Sequence, residues 1–249
     1  MFKAKTNVGM LVEVIEAITG AVDDGVVNIT KDGWDIKVVD PANVAMVSLR
    51  LQSSIFDSFE FEAPKGEDRL KIGVDFANLL GVLKLWEQGT VELELDEKAE
   101  NMLITSDCFD YSNSLIDPSV LRREPKTPKI TFPIQVDVEA ERFAGAIRAQ
   151  ERVAADDYVF IGVKKGELCV WAEGDQGKLK VALGEQSSTK DTYSMYSIDY
   201  LRPMCKGMHA DILTLFIGSE YPIQIDFDIA HGKGKVSYLL APRLPPEED

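Results

Sequence analysis

The chain has 249 residues, 45% of them hydrophobic and 28% charged, enough for one large globular domain or two of about 120 residues. Its net charge of −15 excludes a surface that is basic throughout, and no uncharged apolar run of about 18 residues exists, so no helical membrane span is expected. Three scattered cysteines (Cys108, Cys169, Cys205) and two histidines (His209, His231) fit neither a disulfide framework nor a zinc site.

The opening Met1-Phe2-Lys3-Ala4 leads into an amphipathic helix over 8–20, with Leu11, Val14, Ile15 and Ile18 at three- and four-residue spacing. Alternating or apolar runs then predict strands over 26–30, 34–40, 44–51, 55–62 and 69–74. A second helix is predicted over 75–87 from Phe76, Leu79, Leu80, Leu83 and Trp86, and strands follow over 90–96 and 101–106. Residues 112–128, with Pro118, Pro125, Pro128 and Arg122-Arg123, read as an exposed connector.

The same order then repeats. A strand over 130–138 precedes a helix over 140–154, carrying Phe143, Ala146, Ile147, Val153 and Ala154 on one face. Strands over 158–163, 167–173, 177–183 and 192–197 lead to a helix over 198–208, and strands over 212–217, 222–229 and 234–240 complete the series. Ile198-Asp199-Tyr200 opens its helix as Val74-Asp75-Phe76 opens the earlier one. The reading is α+β: two similar domains, 1–111 and 129–249 with a short acidic tail, each with antiparallel sheets covered on one face by two helices.

The solvent sides of the helices differ. Arg148 and Arg152 lie one turn apart opposite the Phe143/Ile147 face, and Arg202 and Lys206 repeat that arrangement. The first half instead shows Glu13 and Glu16 on one helix, and Asn78, Gly81 and Leu85 with Lys84 at the edge on the other. Residues 1–124 carry 12 basic and 23 acidic groups (net −11), while residues 125–249 carry 15 and 19 (net −4).

No catalytic constellation emerges. Both common glycine-rich phosphate cradles are missing, and Gly232-Lys233-Gly234-Lys235 reads as a hairpin turn. Asp23-Asp24 and Asp156-Asp157 read as turns following helices, and neither histidine has a triad setting. A protein that is not an enzyme, without metal or cofactor, is expected.

Asp40-Pro41-Ala42-Asn43-Val44-Ala45-Met46-Val47 resembles a strand motif of the proliferating cell nuclear antigen family, and Tyr238-Leu239-Leu240-Ala241-Pro242-Arg243 with its acidic tail resembles that family's C-terminus. The start Met1–Ala4, Ile15-Glu16-Ala17-Ile18 and Gly73-Val74-Asp75 fit as well, so the resemblance runs along the whole chain and looks archaeal in its compactness. It implies a DNA sliding clamp: a homotrimeric ring, opened by a clamp-loader ATPase, that encircles duplex DNA and tethers DNA polymerase and other proteins bearing short clamp-binding motifs. A cytoplasmic location follows for an archaeal clamp, and a nuclear one for a eukaryotic clamp; no membrane partner is expected.

Carried over residue by residue, the resemblance makes Lys84, Arg148, Arg152 and Lys206 DNA-facing, with Arg202 added by periodicity. Val12, Glu13, Thr19 and Asp199 stand where relatives often carry cations, and Asn43 replaces a common histidine. A partner-peptide pocket beneath the connector would use Val39, Asn43, Val44, Met46, Leu121, Pro222, Leu239, Leu240, Ala241 and Pro242. The subunit interface would join an edge strand carrying Cys108, Asp110 and Tyr111 to a neighbour's edge carrying Lys178, Leu179, Lys180 and Val181. The alternatives are a subunit of a heteromeric clamp, or an acidic enzyme or ligand-binding protein on a duplicated scaffold. Pro203 within the fourth helix should remove one helical hydrogen bond.

Overall fold

The computed structural model describes residues 1–86, 88–96, 98, 100–150, 152, 157–174, 177–186 and 190–243. The 153–154 end of the third expected helix, Asp156, Asp175 and the acidic tail from 244 lie outside the described residues. The chain forms two compact units, Met1–Lys126 with Asp228–Val236, and Thr127–Phe227 with Ser237–Asp249.

Unit 1 begins with β1 (Phe2–Asn7), which passes directly into α1 (Val8–Thr19). Asn7 makes that switch: its side-chain oxygen accepts the backbone N–H groups of Gly9 at 2.8 Å and Met10 at 3.4 Å, capping the helix. The stripe of Leu11, Val14, Ile15 and Ile18 is fully buried, each side chain contributing about 1.5–3 kcal/mol relative to exposure. Strands β2 (Asp24–Thr30), β3 (Gly33–Val39), β4 (Ala45–Gln52) and β6 (Leu70–Asp75) form a sheet in the order β4-β3-β2-β6. Their alternation is regular: Trp34, Ile36 and Val38 point inward from β3, and Val47, Leu49 and Leu51 from β4.

A second sheet in unit 1 has the order β5-β1-β7-β8-β9, with β5 at Ser58–Phe61, β7 at Thr90–Leu95, β8 at Asn101–Thr105 and β9 at Asp110–Ser114. Helix α2 (Phe76–Leu83), capped by the Asp75 carboxylate on the Asn78 N–H at 2.8 Å, packs beside α1. It is shorter than the predicted 75–87. Lys84 is already the C-cap, and Trp86 leaves the helical stripe to stack on Phe109 with ring centroids 3.7 Å apart.

Unit 2 repeats the plan. Strand β10 (Ile134–Glu139) leads into α3 (Ala140–Gln150), and β11 (Tyr158–Lys164), β12 (Glu167–Gly174), β13 (Gly177–Glu185) and β14 (Thr192–Ser197) form a sheet in the order β13-β12-β11-β14. Then α4 (Ile198–Lys206) packs beside α3, and β15 (Ile212–Ile217), β16 (Ile223–Ile229) and β17 (Gly234–Leu240) follow in the sheet order β10-β15-β16-β17. Strand β10 starts four residues later than predicted, immediately after Pro133, which has no N–H to give a ladder. Helix α4 runs through Pro203 without a break, although the Asp199 carbonyl loses its usual helical donor.

The correspondence is strand for strand. The order β4-β3-β2-β6 matches β13-β12-β11-β14, and β1-β7-β8-β9 matches β10-β15-β16-β17. One difference matters for the site. Within unit 1 the outer side of β4 is covered by the Gly234–Val236 start of β17, and Gln52 N–H donates to Lys233 O at 2.9 Å. By contrast β9 and β13 end their sheets with no further strand among the described residues. No helix among the described residues is long and apolar enough to cross a membrane.

Candidate functional site

The connector region is built around one buried carboxylate. Asp40 is 4% exposed, and its Oδ1 accepts the N–H groups of Val44 at 2.7 Å and Ala45 at 2.8 Å, while Oδ2 accepts that of Ala42 at 3.0 Å. Those bonds fold residues 40–45 into a tight loop and present Asn43 at φ +58°, a left-handed geometry that asparagine tolerates. The Arg122 guanidinium reaches this loop, donating from Nη1 to Asn43 Oδ1 at 3.0 Å and from Nη2 to Pro41 O at 2.7 Å.

The connector is also fixed on either side. Ile116 N–H donates to Gly73 O at 2.9 Å on β6. A Cβ at Gly73 would lie 2.3 Å from Ile116 O and 2.7 Å from Leu121 Cδ1, so only glycine lets the connector approach this closely. Asp117 folds a local turn by accepting the Ser119 N–H at 2.8 Å, which holds its carboxyl below the usual carboxylate range. Farther on, Lys37 pairs with Glu124 at 3.3 Å.

Between connector and strands lies a cavity of about 270 Å³, lined by Val38, Val39 and Leu121 on its apolar side and by Asp23, Asp24, Arg122 and Arg123 on its charged side. It brings together Val39 and Leu121 of the expected pocket. Asn43 is exposed and engaged by Arg122, and Val44 is half-buried. Met46 is only 8% exposed and packs on the opposite face of β4 from Val47. In unit 2, Pro222, Leu239, Ala241 and Pro242 are half-buried, whereas Leu240 is 1% exposed and, like Tyr238, belongs to the core.

Of the expected cations, Arg148, Arg152, Arg202 and Lys206 are all exposed, on or just past the adjacent helices α3 and α4. Asp199 in the first turn of α4 and Lys206 in its last complement the helix dipole, which gives the unexpected aspartate a local role. Lys84 is exposed but forms a salt bridge with Glu16. The acidic face expected on α1 is thereby reduced, because Glu13 also turns inward to accept the Ala230 N–H at 2.9 Å. That bond supports a left-handed pair, Ala230 and His231, at φ +54° and +55°.

At the open edges, Cys108 and Asp110 are exposed, but Tyr111 is committed within its own unit. Its hydroxyl accepts from Asn78 Nδ2 at 2.9 Å and donates to Asn113 Oδ1 at 3.2 Å. On β13, Lys178 pairs with Glu173 at 2.6 Å and Lys180 with Glu167 at 2.5 Å, while Leu179 and Val181 are half-buried. No group of three or more metal-ligating side chains occurs among the described residues.

Sequence reasoning did not select Arg122, Asp40 or Gly73. The Arg122-Arg123 pair was visible only as connector composition, since its partners lie some eighty positions away.

Residues 1–114 match the family described as proliferating cell nuclear antigen, N-terminal domain. The chain is 38% identical to the DNA polymerase sliding clamp of Methanothrix thermoacetophila, covering 99% of this chain and 100% of that one. It is 35% identical to the DNA polymerase sliding clamp of Methanocella arvoryzae at the same coverage. The chain belongs to the proliferating cell nuclear antigen family of DNA polymerase sliding clamps. Its fold resembles that of the A. fulgidus clamp solved with the C-terminal region of FEN-1 bound, with a TM-score of 0.87, 28% identity and coverage of 99% and 100%. The clamp of Thermococcus kodakaraensis, 22% identical with a TM-score of 0.84, shares the fold. These relatives are archaeal, and the α+β clamp fold with two similar domains is the one expected from the sequence.

Proposed function

We propose that this chain is a non-catalytic processivity factor: three copies close head to tail into a ring that encircles duplex DNA and tethers a polymerase and other enzymes. The observation that carries the reading is the pair of open edges, β9 and β13. In the repeat, β9 corresponds to β17 and β13 to β4, and the start of β17 already covers β4 within unit 1. A joint between β9 of one copy and β13 of the next would repeat that pairing and satisfy both rows of backbone groups. A head-to-tail contact of this kind closes into a ring when its rotation is threefold.

Inside the ring the exposed cations of α3 and α4 would meet phosphates, holding DNA without reading its bases. Partner motifs would dock at the connector, the segment of chain that links clamp domains 1–111 and 129–249, and gain a high local concentration at the DNA. The FEN-1 segment bound to the A. fulgidus clamp supports a peptide of that kind as the occupant. A clamp-loading ATPase would open the ring, and the protein would work in the cytoplasm beside the chromosome.

The test is primer extension on primed circular DNA with a clamp loader and polymerase. Longer products with this protein are expected, and unchanged processivity overturns the reading. Light scattering on the purified chain separates a homotrimer from a monomeric subunit that assembles with other chains.

A further inference from the structure

We infer that Arg122 is a latch that preorganises the connector for partner motifs, and that its two-pronged grip on the 41–43 loop sets how readily such motifs dock. The inference rests on the connector being the partner pocket. It concerns what keeps that pocket ready.

The connector has a firm upstream anchor, where Ile116 pairs with Gly73 and Asp117 turns the chain onto Ser119. Its downstream tie, Lys37 with Glu124, is an exposed ion pair of a kind that holds little on its own. Between them stand Val120, 74% exposed, and Leu121, half-buried on the wall of the 270 Å³ cavity. The Val120 N–H donates to Asp117 O at 3.1 Å, but its exposed side chain adds little packing to fix this stretch.

Arg122 supplies the fixing instead. Its two terminal nitrogens donate to two different groups, the Asn43 side-chain oxygen at 3.0 Å and the Pro41 carbonyl at 2.7 Å. Both acceptors are neutral, so the contact depends on the planar fork of the guanidinium more than on its charge. The receiving loop is rigid, because the buried Asp40 carboxylate holds three of its backbone N–H groups. Asn43 offers its oxygen to Arg122 from a left-handed backbone position, φ +58°. The cavity is open with the latch engaged, and Arg122 is among its lining residues. Without the latch, residues 119–123 would sample other conformations, and a docking peptide would bear the cost of ordering them.

The experiment measures binding of a synthetic peptide of the FEN-1 C-terminal region to the intact protein and to Arg122→Ala, Asn43→Gly (glycine keeps the left-handed backbone), the double variant and Arg122→Lys. Arg122→Ala should bind about five- to tenfold more weakly, chiefly through slower association, with the melting temperature unchanged. Asn43→Gly, which keeps the left-handed backbone and the Pro41 bond, should weaken binding by a smaller factor. The double variant should bind no more weakly than Arg122→Ala alone, because that substitution already removes the bond to Asn43. Arg122→Lys should resemble Arg122→Ala, because an ammonium does not reproduce the fork. Hydrogen exchange at Val120 and Leu121 should quicken in all four variants. If the peptide binds the wild-type chain but Arg122→Ala binds equally well, the latch is overturned and the pocket stands. Additive single effects, or wild-type affinity in Arg122→Lys, overturn it too. If the peptide does not bind the wild-type chain, the pocket reading fails, and the latch with it.

Discussion

The two units share a plan of strands and helices but differ in what their helices show to solvent. Unit 1 satisfies its ionic groups internally: Lys84 on Glu16, Glu13 on the Ala230 amide, Asp40 on its own loop, and Arg122 on Asn43 and Pro41. Unit 2 also pairs Lys178 with Glu173 and Lys180 with Glu167 on β13, while Arg148, Arg152, Arg202 and Lys206 are exposed on or just past α3 and α4. Duplicated architecture therefore does not imply duplicated function. One repeat carries the connector and the loop that Asp40 folds, and the other carries four exposed cations on or beside its helices.

The sharpest way to break this contrast is to remove the cations of unit 2. Replacing Arg148, Arg152, Arg202 and Lys206 together by alanine should shorten the lifetime of loaded protein on DNA by roughly tenfold or more. The dependence of that lifetime on salt should flatten by about three to four ions. Size measured by light scattering should not change, and an unaltered lifetime would remove α3 and α4 from any DNA-facing role.

The next effect falls on unit 1's shaped backbone. Gly73→Ala forces Ile116 and Leu121 away from β6, and should lower stability by about 1–3 kcal/mol in denaturant unfolding. It should also impair peptide binding more than DNA retention. Equal loss of both would show that the connector and helices α3 and α4 are not separate devices.

Releasing Lys84 tests the contrast from the other side. Glu16→Gln frees the ammonium and should lengthen retention on DNA by about two- to threefold, an effect that fades as salt rises.

The smallest effect is one of pH. The Ser119 N–H holds the Asp117 carboxyl below its ordinary value of 3.8, so the turn's contribution is complete above that value. It is lost as pH falls through the lower folded value. Hydrogen exchange at the Ser119 amide should stay slow on acidification to about pH 4 and quicken only below it. Quickening already near pH 5 would show that the turn is not held by this carboxylate.

Much of the scaffold was legible because alternation and helical stripes are local properties. Trp34, Ile36 and Val38 declare β3, and Leu11, Val14, Ile15 and Ile18 declare α1. Strand β1 did not stand out among the alternating runs, because two of its three inward residues are Ala4 and the polar Thr6. Trp86 continued the stripe of α2 on paper, yet stacking on Phe109 holds it outside the helix.

The site was legible only in part. Glu13 reads as an outward acid until its bond to Ala230, 217 positions away, is seen, and Arg122 meets Asn43 across 79 positions. Leu240 could have been read correctly from the sequence, since it shares parity with Val236 and Tyr238 and so faces the core. The signals that escaped are mostly bonds between distant residues, which no local periodicity encodes.

The placement of the three thiols gives the protein a built-in point of attachment. Cys169 is sealed in the sheet, where burial pushes its thiol up, and Cys205 is half-covered, while Cys108 is open to solvent beside the edge of β9. A maleimide dye will therefore add first at Cys108 on the native protein. Its emission would follow in real time whether that edge is covered or bare.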